Sequence, residues 1–231
     1  MINAQDYIIA NSIPEKTSNK KIVLDFGSGF GRQANIWNQL ENENYVHISV
    51  DAIVKSYCLQ WLYYSNFERE FHEYAIEKSA FILDEKSKGI YHLPTWRMDL
   101  IPSNYVDKIT VVQVFQELNA DLVKYIVKEF YRILKPNGSI YVRDHGNAWR
   151  PAHKLNMDKY LMNNGFTLEY KMHALDKIDI HGIPRIFRKT NNIAKNQEKV
   201  SMQQFIYEKK REFDSLTGGR LNKLIKKIKH K

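Results

Sequence analysis

The 231-residue chain holds one cysteine, Cys58, so it closes no internal disulfide, and a structural zinc site of several thiolates is excluded with it. That usage suits a reducing compartment and predicts a cytoplasmic protein. No apolar run approaches the roughly 18 residues of a membrane span. The first residues, MINAQDYIIANSIPEK, lack the basic start and apolar stretch of a secretion signal. Repeats and low-complexity segments are lacking as well. Acids are missing from the end of the chain: residues 216–231 carry Arg220, Lys223, Lys226, Lys227, Lys229 and Lys231 with no Asp or Glu. Most of the net charge of +9 therefore belongs to that end. A polyanion-binding domain carries its positive charge on the folded body, so nucleic acid is a disfavoured partner.

What is present, 43% hydrophobic and 13% aromatic residues, suffices for one buried α/β core. Strand and helix patterns alternate, which predicts a Rossmann-like, mostly parallel sheet with helices on both faces. Strands are expected over 21–26, 45–50, 91–98 (with Pro94 inside), 108–115 and 139–143. Two further runs, 166–175 and 183–189, follow one another with no helix between, which predicts an antiparallel hairpin at the sheet edge. Residues 53–80 are dense in Tyr, Trp, Phe and Leu and read as a long helical stretch, with 53–90 as a helical insertion or lid. Leucine and aromatic residues at such spacing usually form core; a stack against sugar rings is the alternative. Asn119 is placed to cap a helix that keeps Leu122, Ile126, Phe130 and Ile133 on one face. Residues 1–190 thus form one domain, and 191–231 a basic helical appendage. In that appendage Leu221, Leu224, Ile225 and Ile228 make one apolar stripe among lysines, suited to docking on its own domain or to peripheral contact with an anionic inner-membrane surface.

The segment Val23-Leu24-Asp25-Phe26-Gly27-Ser28-Gly29-Phe30-Gly31-Arg32 sets alternate glycines directly after a buried strand. Such a turn brings the backbone close to a ligand and aims the amides of the following helix at it. The dinucleotide fingerprint would need glycine at Arg32, and the Walker pattern is absent. A second acid, Asp51, ends the next strand, where it can accept hydrogen bonds from a ribose diol. This pattern resembles the first motif of class I S-adenosylmethionine-dependent methyltransferases. The resemblance spans roughly residues 20–190. Residues 130–138 resemble the family's helix ending in R-x-L-K-P-G-G, with Asn137 in place of the first glycine. The resemblance implies the class I methyltransferase fold and S-adenosylmethionine as cofactor. It places the methionine half in the loop of Asp25, Gly27, Gly29 and Gly31, the ribose on Asp51, and the adenine beside Asp99 and Leu100.

The [DNS]-P-P-[YFW] run of methyltransferases acting on base amines is absent; Val114-Phe115-Gln116-Glu117-Leu118 stands in its place. That run, Tyr125, the G-F-G-R turn and residues 59–64 are similar to bacterial sugar O-methyltransferases. The similarity implies a sugar or glycan hydroxyl as acceptor, in surface-polysaccharide biosynthesis. A hydroxyl needs a general base. Gln116, Glu117, Asp144 and His145 fall at the carboxyl ends of the fourth and fifth strands, where the crevice of such sheets lies. Gln116 is assigned to the cofactor, His145 is the preferred base, with Asp144 as its orienting partner, and Glu117 is the rival base. His173 and His181 are candidate acceptor-pocket residues. No spacing is specific for a metal. The alternatives are a small-molecule or RNA methyltransferase on the same fold, and a non-catalytic binding protein.

Overall fold

The computed structural model describes residues 2–13, 20–40, 45–144, 155–172 and 182–190. His145, His173, His181 and the appendage 191–231 lie outside them. Among the described residues no helix is long and apolar enough to cross a membrane.

One sheet of eight strands organises the molecule: β1 Lys21–Phe26, β2 Tyr45–Asp51, β3 Phe71–Glu73, β4 Gly89–Pro94, β5 Val106–Val112, β6 Leu134–Asp144, β7 Phe166–Lys171 and β8 Ile183–Lys189. Their order is β3-β4-β2-β1-β5-β6-β8-β7. The first six are mutually parallel, and β8 runs antiparallel to both β6 and β7, as the hairpin expectation has it. Helices α1 Ile2–Ala10, α2 Arg32–Leu40, α3 Val54–Tyr64, α4 Tyr74–Glu77, α5 Ala120–Ile133 and α6 Met157–Asn163 complete the order. β1 is buried from Ile22 to Phe26, which is why KIVLDF reads as a nearly continuous apolar run: each face carries its own cluster. β2 is buried along its whole length too, with the polar His47, Ser49 and Asp51 alternating among its apolar residues. One cluster joins Leu24, Ile48, Leu93, Ile109 and Phe130; Val23, Trp37 and Tyr45 form another.

Several boundaries differ from the sequence expectation for local reasons. Pro94 ends β4, and Thr95–Leu100 continue as a 3-10 turn rather than strand. β5 stops at Val112 because Gln113 takes φ +61°. β6 begins earlier, at Leu134, and absorbs Asn137 at φ +64°. Asn119 caps α5 by accepting from the Leu122 N–H at 2.9 Å, but Leu122 itself is exposed. The stretch 53–80 is not a single helix. α3 ends at Tyr64, and Phe71–Glu73 add an edge strand parallel to β4. The Ile90 N–H donates to the Glu70 carbonyl at 2.9 Å. Gly89, at φ +82°, allows that approach, since a Cβ there would lie 2.1 Å from the same oxygen.

α1, unforeseen in the sequence, is tied to the sheet by buried charge. The Arg143 guanidinium donates to both Asp6 carboxylate oxygens, at 2.6 and 2.9 Å, and the Tyr141 hydroxyl donates to Asp6 Oδ1 at 2.5 Å. Lys108 donates to the Ala10 carbonyl at the end of the helix.

Candidate active site

From β1 the chain passes to β2 on one side, while β5 pairs on the other. The sheet therefore reverses its winding between β1 and β5, and ligands of open α/β sheets bind outside the carboxyl ends at such a point. The glycine turn stands there.

Its three glycines do different work. At Gly27, φ +72°, a Cβ would lie 2.4 Å from Val114 Cγ2; at Gly31, φ +72°, it would lie 2.6 Å from the Tyr64 ring. Both are needed for packing inside the protein. At Gly29, φ +56°, a Cβ would meet nothing within 4 Å among the described residues. This backbone faces open space, and Gly29 is the position where a ligand can come against the main chain.

Asp25 lies beneath the turn, 3% exposed. Its Oδ1 accepts from the Thr110 hydroxyl at 2.8 Å, whereas Oδ2 is buried and without a partner among the described residues. Burial pushes its pKa up to about 7 against the Thr110 hydrogen bond, with the Asp51 charge adding to the rise. Asp51 is also buried. Its Oδ2 accepts from the Gly29 N–H and the Gln60 amide, each at 3.0 Å, and Oδ1 from the Ile53 N–H at 2.9 Å. The acid expected to hold a ribose thus also holds the glycine turn, and Oδ1 keeps one lone pair for a hydroxyl. Ser28 and Ser49 join the two elements through a 2.7 Å bond between their hydroxyls, and Ser49 reaches the Tyr64 hydroxyl at 2.8 Å.

The other candidates are less enclosed. Asp99 is exposed and paired with Arg97, at 3.0 and 3.2 Å, while Leu100 packs half-buried against the main core. Gln116 donates to the Gln113 side chain at 2.7 Å. Glu117 is exposed, on the short 3-10 turn Phe115–Glu117 after β5. Asp144 is buried and bound by Arg185, which also pairs with Asp158 at 2.9 Å. The structure therefore brings Asp25, the glycine turn, Asp51 and Val114 into one contiguous group. Asp99, Leu100, Gln116 and Glu117 stand on the neighbouring loops of the same edge. A cavity of about 420 Å³, lined by Asn38, Glu68, Arg69, Glu70, Lys88 and Gly89, opens at the opposite, amino edge.

Sequence reasoning missed Gln60 and the groups behind it. α3 is inverted: Gln60 and Tyr64 are buried against the sheet, while Val54, Leu59, Trp61 and Leu62 are exposed. Leu59 and Leu62 are not core, and the aromatic stretch is largely a sheet-covering element. The spacing of Tyr57, Gln60 and Tyr64 at i, i+3 and i+7 was the available signal of a polar inner face.

The sequence matches no family model and no curated protein. Solved structures do resemble it in fold. The N-methyltransferase NodS of Bradyrhizobium japonicum superimposes with a TM-score of 0.55 at 10% identity, over 81% of this chain and 94% of that one. A SAM-dependent methyltransferase of Aquifex aeolicus gives 0.51 at 17% identity, over 74% and 84%. The CurJ carbon methyltransferase gives 0.56 at 12% identity, over 82% and 54%. The chain has the Rossmann-like fold of class I methyltransferases.

Proposed function

We propose that the protein transfers a methyl group from S-adenosylmethionine to an oxygen, the hydroxyl of a sugar or glycan in bacterial surface-polysaccharide synthesis. The observation that carries the cofactor assignment is the pairing, at the switch point, of Gly29, where a Cβ would meet nothing within 4 Å among the described residues, with a buried carboxylate oxygen on Asp25 that lacks a partner among them. The cofactor's α-ammonium suits that oxygen, and its ribose suits the remaining lone pair of Asp51. Asp99, Leu100 and Gln116 are the proposed adenine-side and crevice contacts. Solved proteins of this fold named as N- and carbon methyltransferases leave the acceptor atom to be argued from this chain. Oxygen is favoured by the V-F-Q-E-L run, which is similar to that of sugar O-methyltransferases.

Bound S-adenosylmethionine supplies a methyl on a sulfonium, open to in-line displacement. The chain's part is alignment and proton removal. The acceptor hydroxyl gives its proton to a base as its oxygen takes the methyl. His145, one residue beyond β6, is the proposed base. Glu117, with no hydrogen bond to its carboxylate among the described residues, is placed on the next loop to hold or replace it. The test is methyl transfer from labelled S-adenosylmethionine to a panel of free, nucleotide-linked and lipid-linked sugars. His145→Ala should lower turnover at least a hundredfold with cofactor affinity within about threefold, in the range of general-base catalysis. Full turnover in that variant removes His145 as base, and transfer to amines but not hydroxyls removes the O-methyl assignment.

A further inference from the structure

A buried row of polar side chains runs from the glycine turn to the edge strand. The Gln60 amide nitrogen lies 2.7 Å from the Gly29 carbonyl oxygen and 3.0 Å from Asp51 Oδ2. Its oxygen lies 2.9 Å from His92 Nε2. His92, on β4, is fully buried. Its Nδ1 is 2.6 Å from Glu73 Oε2, and its ring stacks on Tyr57 with centroids 3.8 Å apart. Glu73 Oε1 accepts from the Tyr57 hydroxyl at 2.5 Å and the Ala75 N–H at 2.9 Å.

Donor and acceptor chemistry fixes the direction of each bond. The Gly29 carbonyl and the Asp51 carboxylate only accept, so the end of Gln60 facing both is its NH2 group. The Gln60 oxygen therefore faces His92, and Nε2 must carry a proton. A Glu73 carboxylate also only accepts, so Nδ1 must carry one too. Burial raises the Glu73 pKa, but the bonds from His92, Tyr57 and Ala75 outweigh it and hold the carboxyl below its usual range. Glu73 is the charged partner.

We propose that His92 is a positioning residue for the cofactor pocket: as an imidazolium between Glu73 and Gln60, it fixes the Gln60 amide that holds Asp51 and the glycine turn in place. The consequence for binding rests on the cofactor reading above. A ring with one proton serves only one acceptor. The charge-assisted bond to Glu73 is the stronger, so without the second proton Nε2 would present a lone pair to the Gln60 oxygen, and Gln60 would withdraw its donor from Asp51 and Gly29. In Glu73→Gln no carboxylate competes, and the ring keeps its Nε2 proton on Gln60. In His92→Phe the donor to Gln60 is gone. The other groups around the ring do not confuse the reading. Tyr57 and Tyr64, from α3, are pushed far above the ordinary tyrosine value by burial. Ser49, beside His92 on β2, does not ionise, and Asp51 stands beyond Gln60. His72 on β3 stacks on Tyr91 and faces Glu77, and its ring signals are assigned separately.

The test is nitrogen-15 NMR of the full chain, reading both His92 ring nitrogens and the Gly29 amide. Both ring nitrogens should be protonated. The Gly29 amide should shift in His92→Phe, which keeps a ring on Tyr57 but removes the donor to Gln60, and should stay in place in Glu73→Gln. S-adenosylhomocysteine affinity, measured by calorimetry, should fall about tenfold in His92→Phe and stay within about threefold of wild type in Glu73→Gln. A singly protonated ring, or a Gly29 amide unmoved in His92→Phe, overturns the proposal. Should His92→Phe not fold, the wild-type ring spectrum decides it. A protein whose ring and amide behave as expected but which binds no S-adenosylhomocysteine refutes the cofactor reading alone. Equal affinity in His92→Phe and wild type refutes the positioning role alone.

Discussion

Asp25, next to last in β1, has one carboxylate oxygen on the Thr110 hydroxyl and the other without a partner among the described residues, and burial pushes its pKa up to about 7. An acid whose pKa is higher folded than unfolded binds more protons in the native state between the two values, so stability falls as pH rises from about 4 to 7. The shift from 3.8 to about 7 corresponds to a cost on the order of 4 kcal/mol above that window. Asp25→Asn should therefore be more stable than wild type in urea unfolding at pH 8 and equal to it at pH 4. It should lose at least tenfold in cofactor affinity, because the amide offers no charge to an ammonium. Equal stability at both pH values would show that the native carboxyl ionises normally. His47 works in the opposite direction. Burial lowers its pKa to about 3, and both ring nitrogens are without a partner among the described residues, so its contribution is lost as pH falls from about 6.5 towards 3.

At the level of elements, the ion pair between Asp6 of α1 and Arg143 of β6 is 1% and 5% exposed at the side chains. Removing one partner of a buried pair strands the other, at about 3–5 kcal/mol. Asp6→Ala should lower unfolding free energy by that amount in urea titration; a loss under about 1 kcal/mol would mean that α1 is held elsewhere. This pair joins residues 137 positions apart, and nothing in the local pattern around Asp6 announces it. β1 was legible because burial on both faces writes a nearly continuous apolar run, and Lys21–Phe26 is as expected from KIVLDF. Asn119 and Asn137 were legible because capping and left-handed turns have short-range chemistry. α3 was misread because its apolar residues point outward: Leu59 and Leu62 stand in solvent and Gln60 is buried. β3 was missed since three residues, Phe71–Glu73, make a strand only by pairing with β4.

For the molecule as a whole, the winding of the sheet brings residues scattered in sequence into one candidate site. Asp25, the glycine turn and Asp51 were all legible from spacing after strands. The bonds that join them through Gln60 to His92 and Glu73 were not, because they cross α3, β3 and β4. The basic segment 216–231 extends the account beyond the sheet. Its lysine-flanked stripe is proposed to hold the protein at an anionic membrane, where a lipid-linked acceptor would stand. Vesicles containing anionic lipid should sediment the full chain at least fivefold more than a 1–215 chain, at about 1 kcal/mol per basic residue near the surface; equal sedimentation would end that proposal. The claim on which the rest depends is the pocket at the β1–β5 switch. Calorimetry with S-adenosylhomocysteine on the full chain and on Gly29→Val measures it most directly. At Gly29 a Cβ meets nothing within 4 Å among the described residues, so the branched side chain enters the proposed ligand space, although its φ of +56° strains the turn. The account predicts saturable one-to-one binding to the wild type and none to the variant, with the variant's cooperative unfolding retained. Undetectable binding to the wild type, or equal affinity in both, would contradict it.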